Sequence, residues 1–232
     1  MTALIRCRNA TIEFGRRKNR LAALRSINLE LVDGDRLGII GPNGAGKSTL
    51  LQVLSGRLRP TQGAVEVQVA PVEAIFSVAG VFNMHATAKE NIILRSVYAG
   101  HSLGDVYRRM PDIIKASGLE IDDRTPLRQF SSGMVLRLAF ATVTAFESPV
   151  VLLDEWIGVA DKNFAAQAQK RLARKLASTP VVVIASHNEN IIRNWCNRAI
   201  VLRAGAIVFE GSVGDAIAFN DHIGRVSPKA EG

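Results

Sequence analysis

The chain is poor in cysteine and contains no long apolar run. Cys7 and Cys196 are its two cysteines, too few and too far apart for a disulfide framework or a metal site, so we expect two free, buried thiols. No apolar run reaches the roughly 18 residues that a membrane-spanning helix requires, and the first residues lack the apolar core of a signal peptide. These absences predict a cytoplasmic protein.

Positive charge is in excess, with a formal net charge of +8. Such a charge suits nucleic acid, an anionic membrane surface, or nothing beyond solubility. The basic cluster at residues 16–20 is short and holds no aromatic residue, which favours a solvated loop over a nucleic-acid site. We therefore expect no nucleic-acid partner, while a position against the acidic lipids of a cytoplasmic leaflet stays open.

Two kinds of apolar pattern indicate two kinds of strand. Within residues 2–35 and 65–69, apolar and polar residues alternate, which is typical of half-exposed, antiparallel strands. Residues 37–40, 150–153 and 181–184 are continuously apolar and suit parallel strands buried on both faces. Helical stretches separate these runs, so the sequence predicts an α/β core with ligands at the carboxyl ends of its strands.

The middle of the chain is mostly helical in pattern. Residues 89–97 and 104–117 are candidate amphipathic helices, with Pro111 in a first turn or at a break. We interpret residues 88–145 as a helical subdomain inserted into an α/β core formed by residues 1–87 and 146–220. The polar residues 221–232 are interpreted as a tail.

A glycine-rich segment carries the strongest chemical signal. It fits G-x-x-x-x-G-K-[ST], follows an apolar strand and precedes a helical stretch. Backbone N–H groups and the helix N-terminus would surround phosphate oxygens, Lys47 would neutralise the β- and γ-phosphates, and the Ser48 hydroxyl would ligate Mg²⁺. A chance glycine-rich turn deserves little weight in this context. The positions predicted to bind ATP are Gly41, Pro42, Asn43, Gly44, Ala45, Gly46, Lys47, Ser48 and Thr49.

Two further apolar strands end in residues that could complete this site. Asp154 can hold the Mg²⁺ shell, and Glu155 can accept a proton from an attacking water; alone, the pair could equally be two solvated carboxylates. His187 follows a third buried strand and could orient a γ-phosphate or the water, although a lone histidine is more often structural. The remaining histidines, His85, His101 and His222, are assigned to the surface or to packing.

Residues 130–134, Phe-Ser-Ser-Gly-Met, open a helix whose next residues are almost entirely apolar. Ser131 can cap this helix, and Gly133 permits close approach of another backbone. The helix N-terminus is an anion site. In isolation the segment is best explained as an ordinary capped, buried helix.

Taken together, these motifs resemble an ATP-binding cassette, and the resemblance covers almost the whole chain. It implies a P-loop NTPase with a RecA-like parallel sheet core, an antiparallel β subdomain and an inserted α-helical subdomain. In that family two cassettes dimerise head to tail, so Ser131 and Gly133 would contact the γ-phosphate of ATP held by the partner copy. Asp161 lies in a further loop of the shared site. Phe14 stands where the family often stacks an aromatic ring on adenine, with core packing as a near-equal alternative.

Departures from the common family pattern are also informative. The usual LSGGQ is replaced at 130–134, and the usual glutamine after the first lobe is missing, with Ser77 or Val78 near its place. The pattern S-S-G-M-x-x-R-L-A-F-A, a G-x-F at 80–82 and D-E-x-x-x-x-G-D resemble the ATPases of exporters for O-antigen, capsule and teichoic acid. Ala160 replaces the last glycine of that pattern.

The resemblance implies ATP and Mg²⁺ as cofactors, a second copy of the chain, and a separate membrane permease. The cassette would then lie peripherally on the cytoplasmic face of the cell membrane. A groove beside residues 77–91 would receive a permease helix, with Phe82 and Met84 either contacting it or buried in the helical lobe. The alternatives are an exporter of lipid, drug or peptide, and a soluble cassette ATPase acting on DNA or ribosomes.

Overall fold

The computed structural model describes residues 3–15, 20–75, 82–154 and 162–226. The chain divides into two compact units. The first comprises Met1–Val69, Leu152–Trp156 and Pro180–Gly232, and the second comprises Ala70–Val151 and Ile157–Thr179.

An antiparallel sheet begins the first unit. Its strands are β1 (Ile5–Phe14), β2 (Leu21–Leu31) and β4 (Gln62–Val67), in the order β2-β1-β4. Along the start of β1, Ile5 and Cys7 are buried while Arg6 and Arg8 face outward. This alternation is the one the sequence predicts, and the antiparallel β subdomain is confirmed.

A second sheet forms the core of the first unit. Strand β3 (Arg36–Ile40) pairs in parallel with β7 (Val181–Ala185) and with β8 (Arg198–Arg203), and β9 (Ala206–Gly211) pairs antiparallel with β8. Strand β6 (Val150–Asp154) neighbours β7. The three continuously apolar runs are therefore buried strands, as predicted.

Three helices belong to the first unit: α1 (Lys47–Leu54), α6 (Glu189–Trp195) and α7 (Val213–Val226). Helix α7 runs through Asp221, so the prediction of a tail from that residue is wrong as far as Val226. The helix persists because Ala216 and Ile217 are buried and Phe219 stacks on Phe209 with ring centroids 4.9 Å apart. Residues 227–232 lie outside the described residues.

The second unit is mostly helical. It contains β5 (Val72–Ile75), α2 (Ala88–Tyr98), α3 (Leu103–Ser117), a short 3-10 helix (Leu127–Gln129), α4 (Ser132–Val143) and α5 (Lys162–Ser178). Helix α2 starts with a reciprocal capping box between Thr87 and Glu90. The apolar core around these helices includes Phe82, Ile92, Val106, Ile113, Leu127, Leu138 and Phe146.

Pro111 lies inside α3, with no break in the helix, so its predicted place in a first turn or at a break is wrong. Proline removes the N–H that would reach the carbonyl of Tyr107. Both residues are exposed, so water can serve that carbonyl. Among the described residues, no helix is long and apolar enough to cross a membrane.

A buried ionic cluster, hereafter the Glu73 cluster, holds the second unit together. Arg95 Nη2 lies 2.9 Å from Glu73 Oε2, and His101 Nε2 lies 3.0 Å from Glu73 Oε1. The His101 ring stacks on Phe146 at 4.1 Å, and Lys175 Nζ donates to the Phe146 carbonyl. His101 is thus a packing residue, as predicted.

Burial alone would raise the pKa of Glu73. The hydrogen bond with His101 and the charges of Arg95 and Lys175 outweigh burial, so the pKa of Glu73 lies below its ordinary value. Burial lowers the pKa of Lys175, although the charge of Glu73 opposes that shift. Glu73 therefore stays ionised beside the charges of Arg95 and Lys175.

The two cysteines are free, as predicted. Cys7 is buried, whereas Cys196 is only partly buried. Burial raises the pKa of each thiol to about 12. Both thiols are therefore protonated and unreactive at neutral pH.

Candidate nucleotide-binding site

The segment predicted to bind phosphate forms a tight loop between β3 and α1. Gly46 adopts a φ of 105°, and a Cβ there would lie 2.6 Å from the Ala23 carbonyl oxygen. A Cβ on Gly41 would lie 2.2 Å from the Leu202 carbonyl oxygen. Both positions therefore require glycine, because a side chain would collide with neighbouring backbone.

Lys47 is the first residue of α1 and is 8% exposed. Its Nζ donates to the carbonyl oxygens of Gly41, at 2.8 Å, and Pro42, at 2.9 Å. These bonds place the ammonium group across the loop that α1 follows. A phosphate at this loop would meet a cation and a helix N-terminus together.

Several other residues of the loop are open to solvent. Pro42, Asn43, Gly44 and Ser48 are exposed, whereas Ala45 is buried. The exposed Ser48 hydroxyl at the second position of α1 is free to face a bound ion. The loop thus fits a nucleotide phosphate with an associated cation.

Asp154 and His187 lie where neighbouring strands end. Asp154 is the last residue of β6 and is half-buried after four buried residues. His187 is exposed and follows β7 by two residues. Because β7 lies parallel to β3, the histidine and the phosphate loop are at the same edge of the sheet.

A cavity of about 450 Å³ connects the start of the loop to His187. Gly41 and Pro42 line one side, and Ser186 and His187 line another. The lining also includes four residues that belong to no sequence motif, one at the end of β8 and three in the second half of α7: Arg203, Asn220, Asp221 and Gly224.

In the second unit, Ser131 caps α4 as predicted. Its Oγ accepts from the Met134 N–H at 3.2 Å. Ser131, Ser132 and Gly133 are exposed, and a Cβ on Gly133 would meet nothing nearer than Ser131 Oγ at 4.0 Å. The described fold therefore leaves room for a side chain at position 133.

Arg137 is the arginine of the S-S-G-M-x-x-R-L-A-F-A pattern, and its contacts lie within the second unit. Its Nε donates to the Ser117 carbonyl at 2.8 Å, and its Nη2 donates to the carbonyl of Gly118, the residue after α3. This arginine ties α4 to the end of α3, so its role is structural.

Phe14 ends β1 and is 46% exposed, which argues against the core-packing alternative. Glu155 and Asp161 lie outside the described residues. So do Ser77 and Val78, which stand near the expected place of the missing glutamine, and residues 16–19 of the basic cluster. Lys47, Ser48, Asp154 and His187 all belong to the first unit.

A phosphate loop between strand and helix, with carboxylate and histidine on the neighbouring strands, defines a P-loop ATPase. The ABC transporter family model matches residues 24–158, more than half of the chain. The chain belongs to the ABC transporter family and has its ATPase cassette.

Curated relatives of the chain are also ATP-binding proteins. The O-antigen export system ATP-binding protein RfbE of Yersinia enterocolitica is 34% identical over 82% of this chain and 79% of its own length. The ATP-binding protein BexA of Haemophilus influenzae is 30% identical over 87% and 91%. The teichoic acids export ATP-binding protein TagH of Lactococcus lactis is 35% identical over 80% of this chain, but the match spans only 39% of TagH.

The fold matches solved cassettes. A dimeric, post-hydrolysis structure of the ATP-binding cassette MJ0796 bound to ADP and Pi has a TM-score of 0.72 and 23% identity. The match covers 90% of this chain and 98% of that one. The α/β P-loop fold is thereby confirmed.

Proposed function

We propose that this chain is the ATP-hydrolysing subunit of an exporter that moves a lipid-linked polysaccharide, or a related cell-envelope glycan, across the cytoplasmic membrane. The observation that carries this proposal is the match to RfbE, an O-antigen export protein, over most of both chains. The teichoic acids export ATP-binding protein TagH and the ATP-binding protein BexA match this chain as well. The signature Phe-Ser-Ser-Gly-Met agrees with the same subfamily.

The first unit supplies the chemistry in this proposal. Lys47 and the backbone N–H groups of the loop bind the phosphates, while Ser48 and Asp154 hold Mg²⁺, which neutralises charge on the phosphate oxygens. Glu155 accepts the proton of the attacking water. His187 orients that water or the γ-phosphate.

A second copy completes the site. Ser131 and Gly133 present an exposed, capped helix N-terminus to ATP held by the partner. Phe14 stacks on adenine, and its 46% exposure supports that role. Asp161 lies in the loop that links the two sites. We also propose that the inserted helical subdomain extends from residue 88 to residue 145.

Transport requires a separate membrane-spanning subunit in this proposal. The cassette would lie peripherally at the cytoplasmic face and close around ATP as a dimer. Hydrolysis would reopen the dimer and drive the membrane subunit through its cycle.

The proposal is tested with Glu155→Gln in the source organism and in purified protein. We expect hydrolysis to fall by about 10²- to 10⁴-fold, because the general base is lost, while ATP binding persists and a dimer accumulates. Glycan should disappear from the cell surface and lipid-linked glycan should accumulate inside.

The matched control is Glu120→Gln, the same change at an exposed position, which should behave as wild type. Hydrolysis by Glu155→Gln at the wild-type rate would refute the base assignment. Normal surface glycan in a hydrolysis-dead strain would refute the export role.

A further inference from the structure

Ser186 is a buried polar residue at the end of an entirely buried strand. The five residues of β7, Val181–Ala185, are buried, and Ser186, which follows them, is 2% exposed. Burying a hydroxyl group costs free energy unless a hydrogen bond compensates for the lost water. The bonds of Ser186 therefore indicate what this position gains from a hydroxyl group.

The Ser186 side chain forms a hydrogen bond across His187. Its Oγ accepts from the Asn188 N–H at 3.1 Å, which closes a turn around the residue between them. The backbone N–H of Ser186 donates to the Ile39 carbonyl at 3.3 Å. Ser186 thus ties the turn that contains His187 to β3, the strand that leads into the phosphate loop.

The residue on the other side of His187 is fixed as well. Asn188 is the N-cap of α6, and its Oδ1 accepts from the Asn190 N–H at 3.0 Å. His187 therefore lies between two consecutive turns, each closed by a side-chain acceptor. The His187 side chain is exposed, so the region that its ring can reach depends on the backbone that these turns hold.

This backbone position places His187 beside the phosphate loop. The last paired residues of β3 and β7 are Ile39 and Ala185. Two residues further along each strand direction, Gly41 and His187 both line the cavity of about 450 Å³. A change in the turn at position 186 would therefore move the histidine relative to the phosphate loop.

We propose that Ser186 is a positioning residue for ATP hydrolysis: its hydroxyl group holds the turn after β7 so that His187 reaches the γ-phosphate or the attacking water. This inference rests on the role of His187 in the proposed function. Without the hydroxyl group, the Asn188 N–H loses its acceptor and the turn relaxes. A displacement of about 1 Å is enough to slow catalysis by about 10²-fold, whereas the bonds of Lys47 within the phosphate loop are unchanged.

The first test is steady-state ATP hydrolysis by the purified full chain. Ser186→Ala removes only the hydroxyl group, and we expect kcat to fall at least about tenfold while the KM for ATP stays at the wild-type value. Ser186→Thr keeps a hydroxyl oxygen at this position and should recover most of the lost kcat.

Ser117 provides a matched control in the second unit. It is buried, and its Oγ accepts from the N–H of Leu119, two residues further on, at 3.3 Å. Ser117→Ala therefore removes the same kind of bond from another buried serine. It should lower the unfolding temperature and leave both kcat and KM at their wild-type values.

A double variant separates positioning from a general structural role. If Ser186 acts through His187, combining Ser186→Ala with His187→Ala should give the kcat of His187→Ala alone. In NMR spectra of protein with isotope-labelled histidine, the His187 ring signal is identified by its absence from His187→Ala. This signal should shift in Ser186→Ala and stay in place in Ser117→Ala.

The two proposals fail in different ways. If His187→Ala hydrolyses ATP at the wild-type rate, the role of His187 in the proposed function is refuted, and this inference with it. If His187→Ala is slow and Ser186→Ala matches wild type, this inference is refuted while the proposed function stands. The inference is also refuted if Ser186→Ala slows His187→Ala as much as it slows wild type, because Ser186 would then act independently of His187.

Discussion

The side chain of Glu73 makes a large contribution to the stability of the second unit. The residue is 2% exposed and compensates buried cationic groups of Arg95 and Lys175. Replacing it by Gln leaves those charges without a counterion, so we expect Glu73→Gln to lower the free energy of unfolding by about 3 kcal/mol. Denaturant titration at neutral pH measures this change. A loss no larger than that of the exposed control Glu120→Gln would contradict it.

The pH dependence of this effect has a defined sign. The folded pKa of Glu73 is lowered from 4.5, so its stabilisation is fully present above that value and is lost as the pH falls through the folded pKa. The difference in stability between wild type and Glu73→Gln should therefore shrink below about pH 4.5. Other carboxylates titrate equally in both proteins and cancel. A difference that stays constant down to the acid transition would refute the assignment.

Among the structural elements, the turn from β3 into α1 is tightly constrained by neighbouring backbone. An Ala at position 46 combines a φ of 105° with a Cβ 2.6 Å from the Ala23 carbonyl oxygen. The matched change Gly44→Ala meets no atom within 4 Å and bears only the strain of its φ of 76°. We expect Gly46→Ala to cost about 1–3 kcal/mol more than Gly44→Ala. Calorimetry of both variants would show it, and equal unfolding temperatures would contradict it.

The elements predicted correctly are those whose signal is local. Strand β3, the phosphate loop and α1 are consecutive, so one short pattern specifies all the residues predicted to bind phosphate. The Glu73 cluster has no such signal, because Glu73 meets partners 22 and 28 positions along the chain. Local rules also mislead at Pro111, where exposure of the helix face makes a missing backbone bond tolerable.

The sequence predicted part of the candidate site. Lys47, Ser48 and His187 lie on elements of one sheet, so strand ends alone bring them to the same edge. The place of Phe14 could not be decided from sequence, because only the folded chain shows whether a strand-end ring is covered. Glu155 and Asp161 stay predictions.

For the whole molecule, sharing of the ATP site can be tested by mixing two inactive chains. Lys47→Ala removes phosphate binding, and Ser131→Arg blocks the helix N-terminus offered to the partner. If the site is shared, a mixed dimer keeps one intact site. Random pairing at equal amounts should restore about a quarter of the sites, and steady-state ATPase assays would detect the recovered activity.

Control experiments establish whether the recovered ATPase activity comes from a site shared between two chains. Each variant alone should be inactive, and Ser131→Arg should still bind ATP as an isolated monomer. Mixing Lys47→Ala with Glu155→Gln should restore nothing, because both changes affect the first unit and no mixed dimer gains an intact site. Failure of the first mixture to recover activity, despite mixed dimers, would refute the in-trans role of Ser131.

The bond between Arg95 and Glu73 also fixes the rotational register of α2 about its own axis. Turning the helix by one residue, about 100°, would separate the pair and strand a buried charge. The direction in which Leu94, Val97 and Tyr98 point is thus set from inside the unit. Side chains that replace them would face the same way, because the buried ion pair, and not the exposed residues, sets the orientation of the helix.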